Sequence, residues 1–162
     1  LRSIYLGQPI RDWDYFYPGM GSFSNDFTAL ENSGKNPPFV NNSWQASWHF
    51  GDTPVQLVKQ FSTNLTTCIH RFDFTICMIG TDGTYVYLGE TTKEDLDNRT
   101  LSPNVLEHPI TSLRRIQKFA TYGFMLTNAT ARQVGVQLVG KPINTYLNPR
   151  TNEVTEVGAA NS

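Results

Sequence analysis

CIHRFDFTICMIGTDGTYVYLGE, residues Cys68 to Glu90, reads as a long strand, a tight turn and a returning strand. Phe72, Phe74, Ile76 and Met78 alternate onto one face of the first strand. Ile69, Arg71, Asp73, Thr75 and Cys77 alternate onto the other, because side chains in a strand repeat with period two. Asp82-Gly83 supplies the positive φ angles of a two-residue hairpin turn. Tyr85 and Tyr87 then share one face of the returning strand.

This reading decides the redox question. In one strand over residues 68–79, Cys68 and Cys77 stand about 30 Å apart at ~3.3 Å per residue, facing opposite ways. A disulfide needs Cα atoms within about 7 Å. Two free thiols and synthesis in a reducing compartment are therefore expected. Sequons at Asn41, Asn64, Asn98 and Asn128 then read as silent.

Working outward, Ser43 to Phe50 alternates, with Trp44, Ala46, Trp48 and Phe50 on one face, and Val55 to Phe61 is a further strand candidate. Residues 1–42 read as irregular, broken by Tyr17-Pro18-Gly19, Ser33-Gly34 and Asn36-Pro37-Pro38. After a polar connection over 91–109, Leu113, Ile116, Phe119 and Ala120 recur at helical spacing. A helix from Ser112 to Tyr122 follows, with Ser112 as its cap. Phe124 to Leu126, Arg132 to Val139, Thr145 to Leu147 and Glu153 to Val157 read as strands. The sum is a single α+β domain over residues 1–157, an antiparallel β-sheet packed on a single α-helix, with a disordered tail at 158–162.

The composition is near neutral: 17% charged residues and a net charge of −1. Such a chain lacks the basic field of non-specific nucleic-acid binding, so no nucleic acid is expected as a partner. No apolar run approaches twenty residues, so no membrane insertion is expected either. The chain has no signal-peptide core, and its start at Leu1 rather than Met suggests an excised domain.

Catalytic motifs are scarce. G-x-S-x-G, H-E-x-x-H and phosphate loops are absent. His49 and His70 could meet on one sheet face beside Asp73 as metal ligands, but they fit polar positions on a solvated face better. Asp12 and Asp14 flank Trp13 as a glycosidase pair might, yet in an irregular segment their spacing carries little geometry. Cys77 has no base beside it in sequence. No catalytic residue, metal or cofactor is expected.

A ligand site is easier to assemble. Sugars stack on flat rings and pair their hydroxyls with amide, carboxylate and guanidinium groups. Trp13, Tyr15, Trp44, Trp48, Arg71, Tyr85, Tyr87 and Glu90 supply that mixture and form the candidate glycan-binding set. For Trp44 and Trp48 a core role competes strongly; for Tyr85 and Tyr87 the two roles balance.

SWQASWHFGD at 43–52 and FTICMIGTDGTYVYLGET at 74–91 together resemble the head domain of the rotavirus outer-capsid spike protein, in a divergent group. The resemblance implies a trypsin-released, non-catalytic, lectin-like head that binds host cell-surface glycans, lactosamine-type or sialylated, during attachment and entry. It implies the remainder of the spike as a partner, synthesis in the host cytosol, and location on the virion outer capsid. It also makes a galectin-like β-sandwich the alternative fold, although the Ser112–Tyr122 helix departs from one. Two other readings differ in function. A secreted interaction or effector module requires a Cys68–Cys77 disulfide; a small hydrolase would use Asp12 with Asp14, or Asp73 with Glu90.

Overall fold

The computed structural model describes residues 1–33, 37–139, 145–147 and 154–156. In chain order these form α1 (Arg2–Tyr5), β1 (Trp13–Tyr15), α2 (Met20–Asn32), β2 (Val40–Asn41), β3 (Gln45–Phe50), β4 (Thr53–Val58) and α3 (Leu65–Ile69). A 3-10 turn (Thr75–Cys77) leads into β5 (Ile79–Thr81), β6 (Val86–Leu88), α4 (Thr92–Asn98) and β7 (Thr100–Leu101). Then come α5 (Pro109–Ala120), β8 (Met125–Leu126), α6 (Asn128–Leu138), β9 (Thr145–Leu147) and β10 (Val154–Glu156).

The fold is mixed α+β. The expected single helix is corrected to six α-helices among the described residues. The expected antiparallel sheet is corrected to a mixed one. Its order is β1-β4-β3-β2, and β1 runs parallel to β4. The remaining strands form three two-stranded pairs, which leaves no galectin-like sandwich. The tail at 158–162 lies outside the described residues.

Register explains why the sheet has two unlike faces. Trp13 pairs with Val55 and Tyr15 with Leu57; across the next ladder Val55 meets Trp48 and Leu57 meets Ala46. This apolar face is covered by α2. Phe27 packs edge-on against Trp48 at 5.4 Å, and Phe23 against Tyr17 at 5.6 Å. Phe23, Phe27 and Leu30 recur at helical spacing. The Gly and Ser residues of α2 disguise it in sequence, and the burial of that apolar stripe, rather than propensity, holds it helical. The opposite face carries Asp14, Gln56 and Ser47 in line.

The second core gathers Phe74, Ile76, Leu96, Leu101, Leu106, Phe119, Phe124 and Val134. Burying each such side chain contributes about 1.5–3 kcal/mol. Here the long strand expected over 68–79 is replaced by α3, a turn, a 3-10 turn and only then β5. Asn64 accepts the Thr67 N–H at 2.8 Å and starts α3, so that sequon residue serves as a helix cap. Phe74, Ile76 and Met78 are buried as alternation anticipated, though the backbone that buries them is not a strand. Both cysteines are free, but the one-strand geometry offered for this is wrong. The β5–β6 hairpin is real, with a four-residue loop at 82–85 rather than a two-residue turn. Asp82 Oδ1 accepts from the N–H groups of Thr84 and Tyr85, and Gly83 takes φ +92°.

α5 begins at Pro109 with His108 before it, so Ser112 is an internal residue and not the cap. Of residues 132–139, read as a strand, 132–138 belong to α6 and Val139 is its C-cap. Thr127 caps that helix by accepting the Thr130 N–H at 3.2 Å. Val134 is buried four residues after Thr130, while Val136 is 68% exposed, as a 3.6-residue period requires. β9 and β10 pair antiparallel, as expected of the last hairpin.

Candidate functional site

Asp12 and Asp14 sit where the two halves of the chain meet. Asp14 lies within β1, where the two-residue period directs it away from the apolar face, and Asp12 stands just before the strand. Crowding by protein atoms, then the charge of Asp12, pushes the Asp14 carboxyl up to about 6, although the residue itself is exposed to solvent. The Leu1 amino group, Arg115 and Lys118 pull the other way and lose.

α5 supplies the cations. Arg115 Nε donates to Asp73 Oδ2 at 3.1 Å, and its Nη2 lies 3.1 Å from Cys77 Sγ. Arg2 Nη1 approaches the same sulfur at 3.6 Å, and its guanidinium lies over the Phe119 ring at 4.7 Å. Arg11 stacks on Tyr122 at 3.9 Å, which fixes the start of β1 against the end of α5. Burial pushes the Cys77 thiol up despite the neighbouring guanidinium groups, so it stays protonated and is no activated nucleophile. Burial also raises the Asp73 carboxyl against the pull of Arg115, and Asp73 Oδ1 has no partner among the described residues.

The loop that carries Asp73 is pinned from both sides. Asn104 Nδ2 donates to the carbonyls of His70 at 2.9 Å and Phe72 at 2.7 Å, and the Asn104 N–H donates to Asp73 O at 2.8 Å. Below it, buried Asp95 accepts from Thr75 at 2.6 Å, Thr91 at 3.1 Å, Thr100 at 2.5 Å and Ser102 at 2.8 Å. Burial pushes the Asp95 carboxyl up; the four hydroxyl donors outweigh it and hold it below the usual range.

The sequence-derived ligand set does not converge. Trp13 and Tyr15 line a cleft on the apolar side of β1. Trp48 is core, 2% exposed, whereas Trp44 is 63% exposed at the approach to β3. Arg71 is exposed and reaches the Phe61 carbonyl at 3.4 Å. Tyr85 stands exposed in the hairpin loop, Tyr87 donates to Asp82 Oδ2 at 3.0 Å, and Glu90 follows β6 in solvent. His49 stacks on Phe39 at 4.3 Å, while His70 caps α3 and contacts the Thr66 carbonyl at 2.8 Å, so no shared sheet face joins them. No group of three or more His, Cys, Asp or Glu residues suited to a metal occurs among the described residues. Sequence reasoning named Asp12 and Asp14 but discounted them. The missed signal was the alternation of Asp12 and Asp14 with Trp13, Tyr15 and Tyr17, a strand pattern inside a segment read as irregular.

No protein-family model and no curated protein matches this chain. Solved structures do. The Thermotoga maritima CCA-adding enzyme complexed with tRNA superposes with a TM-score of 0.63 at 17% identity, covering 82% of this chain and 34% of that one. A tRNA nucleotidyltransferase bound to a primer tRNA and an ATP analogue gives 0.59 at 20% identity, covering 85% and 44%. A CCA-adding enzyme with CTP gives 0.64 at 17% identity, covering 85% and 36%. The chain shares their fold. It spans less than half the length of each.

This overturns the resemblance to the rotavirus spike head and the glycan-binding, viral-attachment reading built on it. Short motifs carried that resemblance, and an alternating strand beside a Gly turn recurs in unrelated folds. The expectation of a non-catalytic module falls too, because the fold is one that enzymes use. The partner set of glycans and spike, with nucleic acid excluded, is likewise overturned: the neighbours are complexed with tRNA and nucleotides. No helix among the described residues is long and apolar enough to cross a membrane.

Proposed function

We propose that this chain is the nucleotide-binding part of an RNA-directed nucleotidyltransferase, with its site between β1 and α5. The observation that carries the reading is Asp14, with the carboxylate of Asp12 and the charges of Arg115 and Lys118 near enough to act on it, in a fold shared with tRNA nucleotidyltransferases.

The donor chemistry fits a divalent cation. Asp14, whose proton affinity the neighbouring Asp12 charge helps to raise, would be relieved by a positive charge held between the two carboxylates, and hard oxygen donors suit Mg²⁺. Two protein ligands leave room for phosphate oxygens, the usual way such sites hold Mg²⁺. When bound, the metal would supply charge neutralisation and orientation at the phosphates. Arg115 and Lys118 would face the polyphosphate as it enters, Arg115 with its planar fork held by Asp73. In the reaction, an RNA hydroxyl oxygen bonds to the α-phosphorus of a nucleoside triphosphate, the bond to the bridging oxygen breaks, and pyrophosphate leaves with that electron pair. The hydroxyl proton passes to solvent or to a carboxylate.

Binding of ATP and CTP is measured calorimetrically with Mg²⁺ present and with EDTA. The expected result is Mg²⁺-dependent binding that Asp12→Asn with Asp14→Asn weakens about tenfold or more. Equal affinity in the double variant, or no nucleotide binding by the folded chain, sinks the proposal.

A further inference from the structure

On the far side of β1 from Asp12 and Asp14 lies a cleft of about 510 Å³ between the sheet and α2. Trp13, Tyr15, Val55 and Leu57 line it from the sheet, and Asp26 and Ala29 line it from α2. Its volume falls within the range of small-molecule sites, and its lining is aromatic and aliphatic. Among the lining residues Asp26 alone carries a formal charge. Tyr17 donates to Asp26 Oδ2 at 3.0 Å, which orients the carboxylate, and Asp26 itself is exposed to solvent. Tyr17 itself is locked by its edge-on contact with Phe23.

From this arrangement we infer that the cleft binds a flat aromatic molecule bearing a positive charge. The rings of Trp13 and Tyr15 offer π faces to a planar cation, and Asp26 adds a complementary charge at one end. An anionic aromatic would meet the same rings and be repelled by the carboxylate, so the site selects by charge as well as by shape. Its position is independent of the proposed nucleotide site, since neighbouring residues of β1 point to opposite faces.

The test uses tryptamine as probe and indole-3-propionate as its anionic counterpart, with the Trp13 indole N–H and the Ala29 amide followed by NMR. A single small ring system leads to an expected dissociation constant on the order of millimolar. Tryptamine should give saturable shifts at both positions and bind about threefold to tenfold tighter than the anion. Asp26→Asn, at an exposed position, should erase that preference, and Ala29→Phe should block binding by filling the cleft. Asp12→Asn should leave binding unchanged. No saturable shift with tryptamine, equal affinity for the two probes, or undiminished binding by Ala29→Phe overturns the inference.

Discussion

Replacing Asp95 by Asn tests how the candidate site is held in place. The Asp95 carboxylate is 7% exposed and accepts four hydroxyl donors from the 3-10 turn, the end of β6–α4, and β7 with its following residue. The Asn side chain keeps the volume, but it removes the charge and turns one acceptor into a donor facing other donors. A hydrogen bond to a charged group contributes about 1.5–3 kcal/mol, but the losses do not add in full because hydroxyls rotate. Thr75 Oγ1, for example, already lies 3.4 Å from the Ser102 carbonyl. The expected loss at pH 7 is therefore about 2–4 kcal/mol. The sign with pH follows from the lowered carboxyl: its stabilisation is fully present above the ordinary aspartate value near 3.9 and is lost as pH falls through the lower folded value. Urea unfolding of both proteins from pH 7 downward measures this. The gap should narrow below about pH 4. A gap under about 1 kcal/mol at pH 7, or one that is constant with pH, would refute the account of Asp95 as an ionised hub.

Asp14→Asn should have the opposite effect on stability. The folded Asp14 carboxyl is raised to about 6, so ionisation costs native stability as pH rises from about 4 through 6. The variant should melt higher than the parent at pH 8 and match it at pH 4, and a lower melting temperature at pH 8 would contradict the crowding around Asp14. Gly89→Ala should destabilise by about 1–3 kcal/mol by overpacking, since its Cβ would stand 2.9 Å from Met78 Cβ and 2.8 Å from Thr92 Oγ1. Gly135→Ala within α6 meets nothing within 4 Å and should stabilise by about 0.5–1 kcal/mol. Chemical denaturation of both glycine variants checks the packing at one site and the open helix surface at the other.

Local patterns were legible where one physical cause dominated. Ala46 and Trp48 read as an inward strand face because apolar residues alternate with polar ones along β3, although Ser47 on the other face is buried as well. Phe119 read as the buried stripe of a helix because α5 is amphipathic over three turns. The reading failed where two periods compete over a few residues. Val134, Val136 and Leu138 alternate like a strand, yet Thr127 caps a helix there, and Val134 is buried while Val136 is exposed. Phe72 to Met78 alternates like a strand as well, but Phe74, Ile76 and Met78 are buried in and around a 3-10 turn, and Phe72 is only half-buried. Family resemblance drawn from such short patterns inherited the ambiguity.

The sequence by itself determined that Ala46, Trp48, Phe119, Phe74, Ile76 and Met78 go inward, and that a turn follows Thr81, but not that Trp44, Phe50, Leu113 and Ala120 stay exposed while Ser47 is buried. Burial preference and turn chemistry are local, so they survive an error about the backbone. Only the tertiary structure decided what Cys68 to Glu90 is for. Folding it as helix, turn and short hairpin sets Asp73 and Cys77 against Arg115. The parallel pairing of β1 with β4 then brings Asp12 and Asp14 to the same junction. These residues are separated by up to about a hundred positions in the chain, and no pattern within a window of sequence encodes a contact closed over that distance.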